Sequence, residues 1–303
     1  MLMILLAAGC YTITSLSDKY AVAKLKLNGR EMTFIMAAAT VLFMTLLMPF
    51  VFFGDYISAH SFGEFISEWR TNESFWAENG FSFSLSAVIF ILLIAADKLL
   101  EFVLSAMVLK EMSAFELKAW LGIVIFVSYF TDVFKGASFN ILCLLCILVT
   151  GVGLFLIAKS NGKEIHYKKI LLPLIGYLAI RYFYGIIMQF GTPYMPSSVI
   201  LYFALIVLTI GLLPTLSFKS LMSKDRKGML LNAGSKLPNA VGLIAENATI
   251  AVSLTGASLI QPVILIALFF IGIIRKEACT KLNIAGGIIS IIGIAAFQLA
   301  NTM

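Results

Sequence analysis

The sequence predicts an all-α integral membrane protein with ten transmembrane helices, arranged as two inverted five-helix repeats. Three observations lead there. Of its 303 residues, 60% are hydrophobic and only 13% are charged, far from the composition of a soluble domain. The apolar sequence also divides into ten runs, at about 2–20, 32–53, 82–107, 113–134, 139–158, 170–190, 197–215, 229–253, 255–274 and 282–301. Each is near the roughly 20 residues that a membrane helix needs. Finally, the pattern recurs: with a shift of 143 positions, Ser113-Ala114-Phe115-Glu116-Leu117-Lys118-Ala119 falls on 256–262 and Asn140-Ile141 on Asn283-Ile284. Glu101 then lands within two positions of Glu246, and Pro49 and Pro214 close the second span of each half. An odd number of spans per unit inverts the second copy, which is how many carriers build a site at the bilayer midplane. The predicted units are 1–158, with an acidic extracytoplasmic loop over 54–81, and 170–303.

Charge fixes the expected orientation. Lys19, Lys24, Lys26 and Arg30 follow span one, Lys159, Lys163, Lys168 and Lys169 follow span five, and Lys219, Lys224, Arg226 and Lys227 follow span seven. Lys110 follows span three, and Arg275, Lys276 and Lys281 follow span nine, whereas the other side carries only Arg70 and Lys135. The positive-inside rule puts the odd-numbered connections in the cytoplasm and both termini outside, in a plasma membrane. The net charge of +6 sits in short loops rather than on one basic face, so no nucleic-acid partner is expected. Leu6-Ala7-Ala8-Gly9-Cys10 has the outline of a lipoprotein cleavage box, but no Lys or Arg precedes it, so the first span is expected to be retained.

Each span has its own signature. In span one Tyr11, Thr14, Ser15 and Asp18 share a helix face; Tyr11 and Thr14 are deep enough to line a cavity, while Asp18 and Lys19 suit an interfacial position with their ends in water. Span two is nearly featureless and suits packing or lipid contact. In the long loop Phe62, Phe65, Ile66 and Trp69 recur at helical steps, favouring a short amphipathic helix on the outer surface over a mobile loop. Span three carries Asp97 and Glu101 four apart, with Lys98 three residues before Glu101. Each such charge costs about 2.5–3.5 kcal/mol near a bilayer centre. Either a local ion pair relieves that cost, or the segment is wet. Span four opens with Glu116 and Lys118, placed for the interface or for substrate, and Lys118 aligns with Gln261.

Gly151 and Gly153 in span five, and Gly286, Gly287, Ser290 and Gly293 in span ten, mark packing helices, with a dimer as a further use. Cys143 and Cys146 have the spacing of a redox or metal pair but sit mid-span among Leu and Ile without a second pair or a His, which favours packing. Span six presents Tyr177, Arg181, Tyr184 and Met188 on one face, and Arg181 is too deep to reach water easily. It therefore needs a counter-charge or an anionic ligand, and Glu246, Glu101 and Asp97 are the available acids. Gly191 to Pro196 forms the outer turn. Span eight carries Asn232, Ser235, Asn239, Gly242, Glu246, Thr249 and Ser253 at steps of three and four, a polar stripe on one helix face.

These residues carry a resemblance. The stretch 239–247, followed by Ala257-Ser258-Leu259-Ile260-Gln261-Pro262, Arg275-Lys276-Glu277 and Asn283-Ile284-Ala285-Gly286-Gly287, resembles the end of the second EamA-like repeat of the drug/metabolite transporter superfamily. Residues 139–154 are similar to the end of the first repeat, although Ala119 stands where the second half has its proline and Phe134 where it has Glu277. The resemblance implies a central cavity lined by spans one, three, four, six, eight and nine, with spans five and ten outside it. It also implies a secondary active transporter that works by alternating access, proton-coupled or by exchange.

The expected cargo is a small polar or zwitterionic metabolite, an amino acid or related solute. The candidate substrate-binding residues are Arg181, Tyr177, Tyr184, Glu246, Asn239, Asn247, Gln261, Thr14, Tyr11, Glu101 and Asp97. Arg181 suits a substrate carboxylate or phosphate through paired hydrogen bonds. Glu246 is either its resting counter-ion, as part of a permanent structural pair, or a proton carrier. The expected partners are the small-molecule substrate and the lipid bilayer, with the chain a monomer or homodimer and neither cofactor nor metal required. The competing class is an integral membrane enzyme acting on lipid-linked or small polar substrates. Enzymes of that kind generally use His, Asp or metal-ligand clusters, and His60 and His166 are both in loops without such a cluster. No Gly-x-x-x-x-Gly-Lys-Ser/Thr loop points to ATP, and no filter sequence points to a channel.

Overall fold

The computed structural model describes residues 2–20, 25, 27, 29–59, 62–72, 83–108, 117, 120–159, 167–274 and 280–302. All regular structure among them is helical: α1 (Leu2–Tyr20), α2 (Gly29–Leu46), α3 (Met48–Ala59), α4 (Phe62–Thr71), α5 (Leu85–Val108), α6 (Ile123–Phe134), α7 (Ile141–Lys159) and α8 (Tyr167–Gly191). Then come α9 (Ser197–Leu212), a 3-10 turn (Leu213–Thr215), α10 (Phe218–Met222), α11 (Arg226–Gly234), α12 (Lys236–Val252), α13 (Leu254–Ser258), α14 (Ile260–Ile274) and α15 (Lys281–Thr302).

The stretches Ile170–Gly191, Ser197–Thr215 and Leu254–Ile271 are long and apolar enough to cross a membrane, and Leu2–Asp18, Ile123–Phe134, Ile141–Ile157 and Ile284–Phe297 are shorter apolar helices. Polarity is distributed inside out. Leu92, Leu145, Phe155, Leu172 and Ile292 face outward, while Asp97, Lys98, Lys236 and Glu246 are buried. In water that arrangement would leave a large apolar surface exposed, whereas hydrocarbon covers it. The architecture is that of a multi-pass membrane protein.

Several predicted spans are interrupted, and proline explains where. A proline lacks an N–H and its ring collides with the carbonyl four residues back. Pro49, Pro238 and Pro262 stand in the first turns of α3, α12 and α14, and the preceding helices end at Leu46, Gly234 and Ser258. Span two is thus α2 plus α3, and the segment predicted as span eight is α11 plus α12. The polar stripe predicted on one helix is split at Ser235, and its last member, Ser253, is extended (φ −158°, ψ 127°). In the long loop, α4 occupies the predicted amphipathic segment and tucks Phe65 against Phe53 at 5.3 Å between ring centres.

Helix α5 lies against α8 and α9, α1 against α12 and α14, α2 against α9 and α12, and α7 along α15. The larger apolar cluster joins side chains of α2, α5, α8, α9 and α12, and the second joins α1, α6, α7, α14 and α15. The predicted packing glycines meet each other. A Cβ on Gly153 would lie 2.7 Å from the Gly286 carbonyl, and one on Gly286 2.6 Å from the Gly153 carbonyl, so α7 and α15 touch backbone to backbone. These glycines are taken up by packing within the chain. Cys143 is buried in the second cluster, as the packing reading requires.

Candidate functional site

The site is built around Arg181, near the middle of α8. Its Nη1 donates to Glu101 Oε1 of α5 at 3.1 Å and its Nη2 to Glu246 Oε1 of α12 at 2.8 Å. The second oxygen of each carboxylate is also engaged. Glu101 Oε2 accepts from Lys98 Nζ at 2.7 Å, and Glu246 Oε2 accepts from the Tyr11 hydroxyl of α1 at 2.5 Å. Lys98 Nζ sits 3.6 Å above the Tyr184 ring, whose hydroxyl donates to Asn247 Oδ1 at 2.7 Å. Four helices therefore meet through one chain of charge-assisted and aromatic contacts. Removing water from an unpaired charge costs several kcal/mol, and pairing on both sides of the guanidinium offsets that cost.

Beside Arg181 is a cavity whose polar wall includes Glu246, Tyr182, Ser128, Ser258 and Gln261, with Leu121 and Leu254 among its apolar lining. Ser128 and Ser258 are hydrogen-bonded to each other at 2.6 Å, tying α6 to α13. The space open to the centres of water molecules is about 30 Å³. That holds about two waters, at roughly 10–15 Å³ each. Two of the five guanidinium N–H groups of Arg181 are committed to the carboxylates, and the side chain also borders the cavity.

Six of the predicted residues form the contact network: Arg181, Glu246, Glu101, Tyr11, Tyr184 and Asn247. Gln261 belongs to the cavity wall. The others lie apart from that wall. Tyr177 is buried against Val108, Leu121 and Leu174. Asn239 donates to Thr40 of α2 at 3.1 Å, fixing α12 to α2. Thr14 donates to the Cys10 carbonyl of its own helix at 3.0 Å, and to the Ser235 carbonyl at 3.5 Å. Asp97 is buried, and its Oδ2 has no hydrogen-bond partner among the described residues. The polar stripe of the second half mostly faces α1: Glu246 reaches Tyr11, Gly242 admits its ring, and Asn232 donates to Ser17 Oγ at 3.2 Å.

Sequence reasoning missed three features. Lys236 is fully buried and pairs with Asp18, so Asp18 is half of an ion pair between α1 and α12 rather than a simple interfacial group. The cue was a lysine two residues before Pro238, inside a segment read as membrane-spanning. Asp132 of α6 receives Ser253 Oγ at 2.9 Å, Thr255 N at 2.9 Å and Thr255 Oγ1 at 2.8 Å on Oδ2, and Leu254 N at 3.3 Å on Oδ1. It thereby satisfies two of the orphan N–H groups that open α13, and Ser253 Oγ takes a third from Gly256 at 3.0 Å. Glu31, in the first turn of α2 just ahead of the predicted span two, is buried and accepts from Ser220 at 2.6 Å. The predicted contacts of Glu116 and Lys118, the basic turn 275–277, His60, His166 and Cys279 lie outside the described residues. Among those that are described, no group of three or more His, Cys, Asp or Glu side chains is arranged to hold a metal ion. Comparison with protein-family models gives no match to this chain, and comparison with curated proteins gives none either.

Proposed function

We propose that the chain is a secondary active transporter of a small zwitterionic or polar metabolite, an amino acid or related solute, working by alternating access between two inverted five-helix units. The observation that carries this reading is Arg181, held between two buried carboxylates at the edge of a polar cavity. A zwitterion matches that centre. Its carboxylate takes the place of an internal acid on the guanidinium, its ammonium takes the freed acid, and no buried charge is left without a partner. The cavity as it stands admits water and not such a solute, which is the expected condition of a carrier caught between its open states.

Helix pairing supports the two-unit reading. Under a five-span offset the α1–α12 pair corresponds to α8–α5, and α5–α9 corresponds to α12–α2, while α2–α9 and α7–α15 each map onto themselves. Glu101 and Glu246 occupy matching spans and grip the same arginine from opposite units. Positive loops on the odd-numbered connections place both termini outside a plasma membrane in this reading.

The test is a thermal-shift screen of the purified protein against amino acids and related metabolites, followed by counterflow of each hit in proteoliposomes. A ligand at one hundred times its Kd adds about 2.7 kcal/mol to the stability of the folded form. Saturable counterflow of a stabilising zwitterion is the expected result. Flux that rises linearly with concentration, with no zwitterion stabilising the protein, would sink the proposal.

A further inference from the structure

Among the described residues, the charges at the centre do not balance when every group is ionised. Two cations, Lys98 and Arg181, face Glu101 and Glu246, and each of those carboxylates has both oxygens engaged. Asp97 is the third acid, one helical turn from Glu101 on α5 and only 6% exposed. Its Oδ2 finds no donor among the described residues.

Among the described residues, the neighbouring elements offer no further cation at this depth. Helix α8 contributes Arg181, with Tyr177, Tyr182 and Tyr184 as its other titratable groups at this depth; Tyr182 is hydrogen-bonded to Thr131, and Arg181 is committed to Glu101 and to Glu246 of α12. Helix α9 has Tyr202 as its one titratable side chain, hydrogen-bonded to Thr45. Helix α2 carries Arg30 and Glu31 in its first turn, and Glu31 is bonded to Ser220. A bare carboxylate in such a place costs several kcal/mol, and a proton removes that cost.

We propose that Asp97 is the proton-binding site of this protein: an H⁺ on its carboxyl group makes the five-residue network neutral, and this proton, not one on Glu246, is the one exchanged during transport. The step is a simple exchange with water. An O–H bond forms on Asp97 as H⁺ arrives from bulk solvent, and it breaks as H⁺ returns there. No other bond changes and no electrons move. Glu246 is poorly placed for this task, since protonating it would remove the charge that Arg181 pairs with and would disturb its bond from Tyr11.

The coupling role rests on the transporter reading, whereas the location of the proton does not, so the experiment addresses the proton alone, with H⁺ as the probe. Infrared difference spectra of the full chain in lipid are recorded between mildly acidic and mildly alkaline buffer. The carbonyl stretch of a buried, protonated carboxylic acid is expected in the acid spectrum. It shifts when the protein carries carbon-13 at the Asp side-chain carboxyl, stays fixed when Glu is labelled instead, and disappears in Asp97→Asn. A band that moves with the Glu label, or that survives in Asp97→Asn, overturns the assignment. The isotope arms use the unaltered chain, so the inference stays open to refutation even if the variant does not fold.

Discussion

Replacing Arg181 with leucine should be the most damaging single change at the centre, and a double-mutant cycle can apportion its cost. The variant removes the donors at 3.1 Å and 2.8 Å and leaves Glu101 and Glu246 buried. Each retains one partner, Lys98 or Tyr11, so the acids are not bare, but their charge is no longer matched. Breaking a buried ion pair from one side typically costs about 3–5 kcal/mol, and this network belongs in that range. Removing Glu246 as well, in Arg181→Leu/Glu246→Leu, leaves the Lys98–Glu101 pair intact and takes away the acid that lost its partner. The double variant should therefore be less destabilised than the sum of the two single variants, by about 1–3 kcal/mol of coupling. Equilibrium unfolding in mixed micelles, followed by helical circular dichroism, measures all four corners of the cycle. Costs that add to within about 0.5 kcal/mol would refute the argument, because they would mean that the guanidinium and the carboxylate do not sense each other.

Three further outcomes follow from unequal burial and from the space around glycines. Asp18→Ala should cost more than Lys236→Met, because the first strands a fully buried ammonium while the second leaves an acid that is 24% exposed and can hydrate. Unfolding of the two variants side by side should separate them by about 2 kcal/mol or more, and equal costs would contradict the pairing geometry. Leucine at Gly153 or Gly286 should force α7 and α15 apart and destabilise by about 1–3 kcal/mol or more. Alanine at Gly9, where an added Cβ meets nothing within 4 Å, should be neutral or stabilising by up to about 1 kcal/mol, as the same unfolding assay would register.

Much of the centre was legible because isolated charges in apolar sequence have few reasons to be there. Arg181, Glu101 and Glu246 stood out by depth alone, and Arg181 was expected to seek one of the acids that it holds. That it takes two at once depends on how α5 and α12 flank α8, which no local pattern encodes. Periodicity placed Tyr11 on the correct face of α1 but could not tell it from Thr14, whose hydroxyl turns back to its own helix. The hydrogen bond of Asn239 to Thr40 joins residues 199 apart in sequence, so a polar stripe read as cavity lining also serves as glue between helices. Helix breaks were harder to foresee, because hydropathy runs straight through Pro238 and Pro262 while the backbone cannot.

The carboxylate of Asp132 has a mechanical consequence. It holds the first turn of α13 through four hydrogen bonds, and the Ser128–Ser258 bond adds a fifth tie between α6 and α13. Ser253, in extended backbone, is the joint between α13 and α12. Residues 254–258, although they belong to the second half of the sequence, are thereby fastened to α6 in the first.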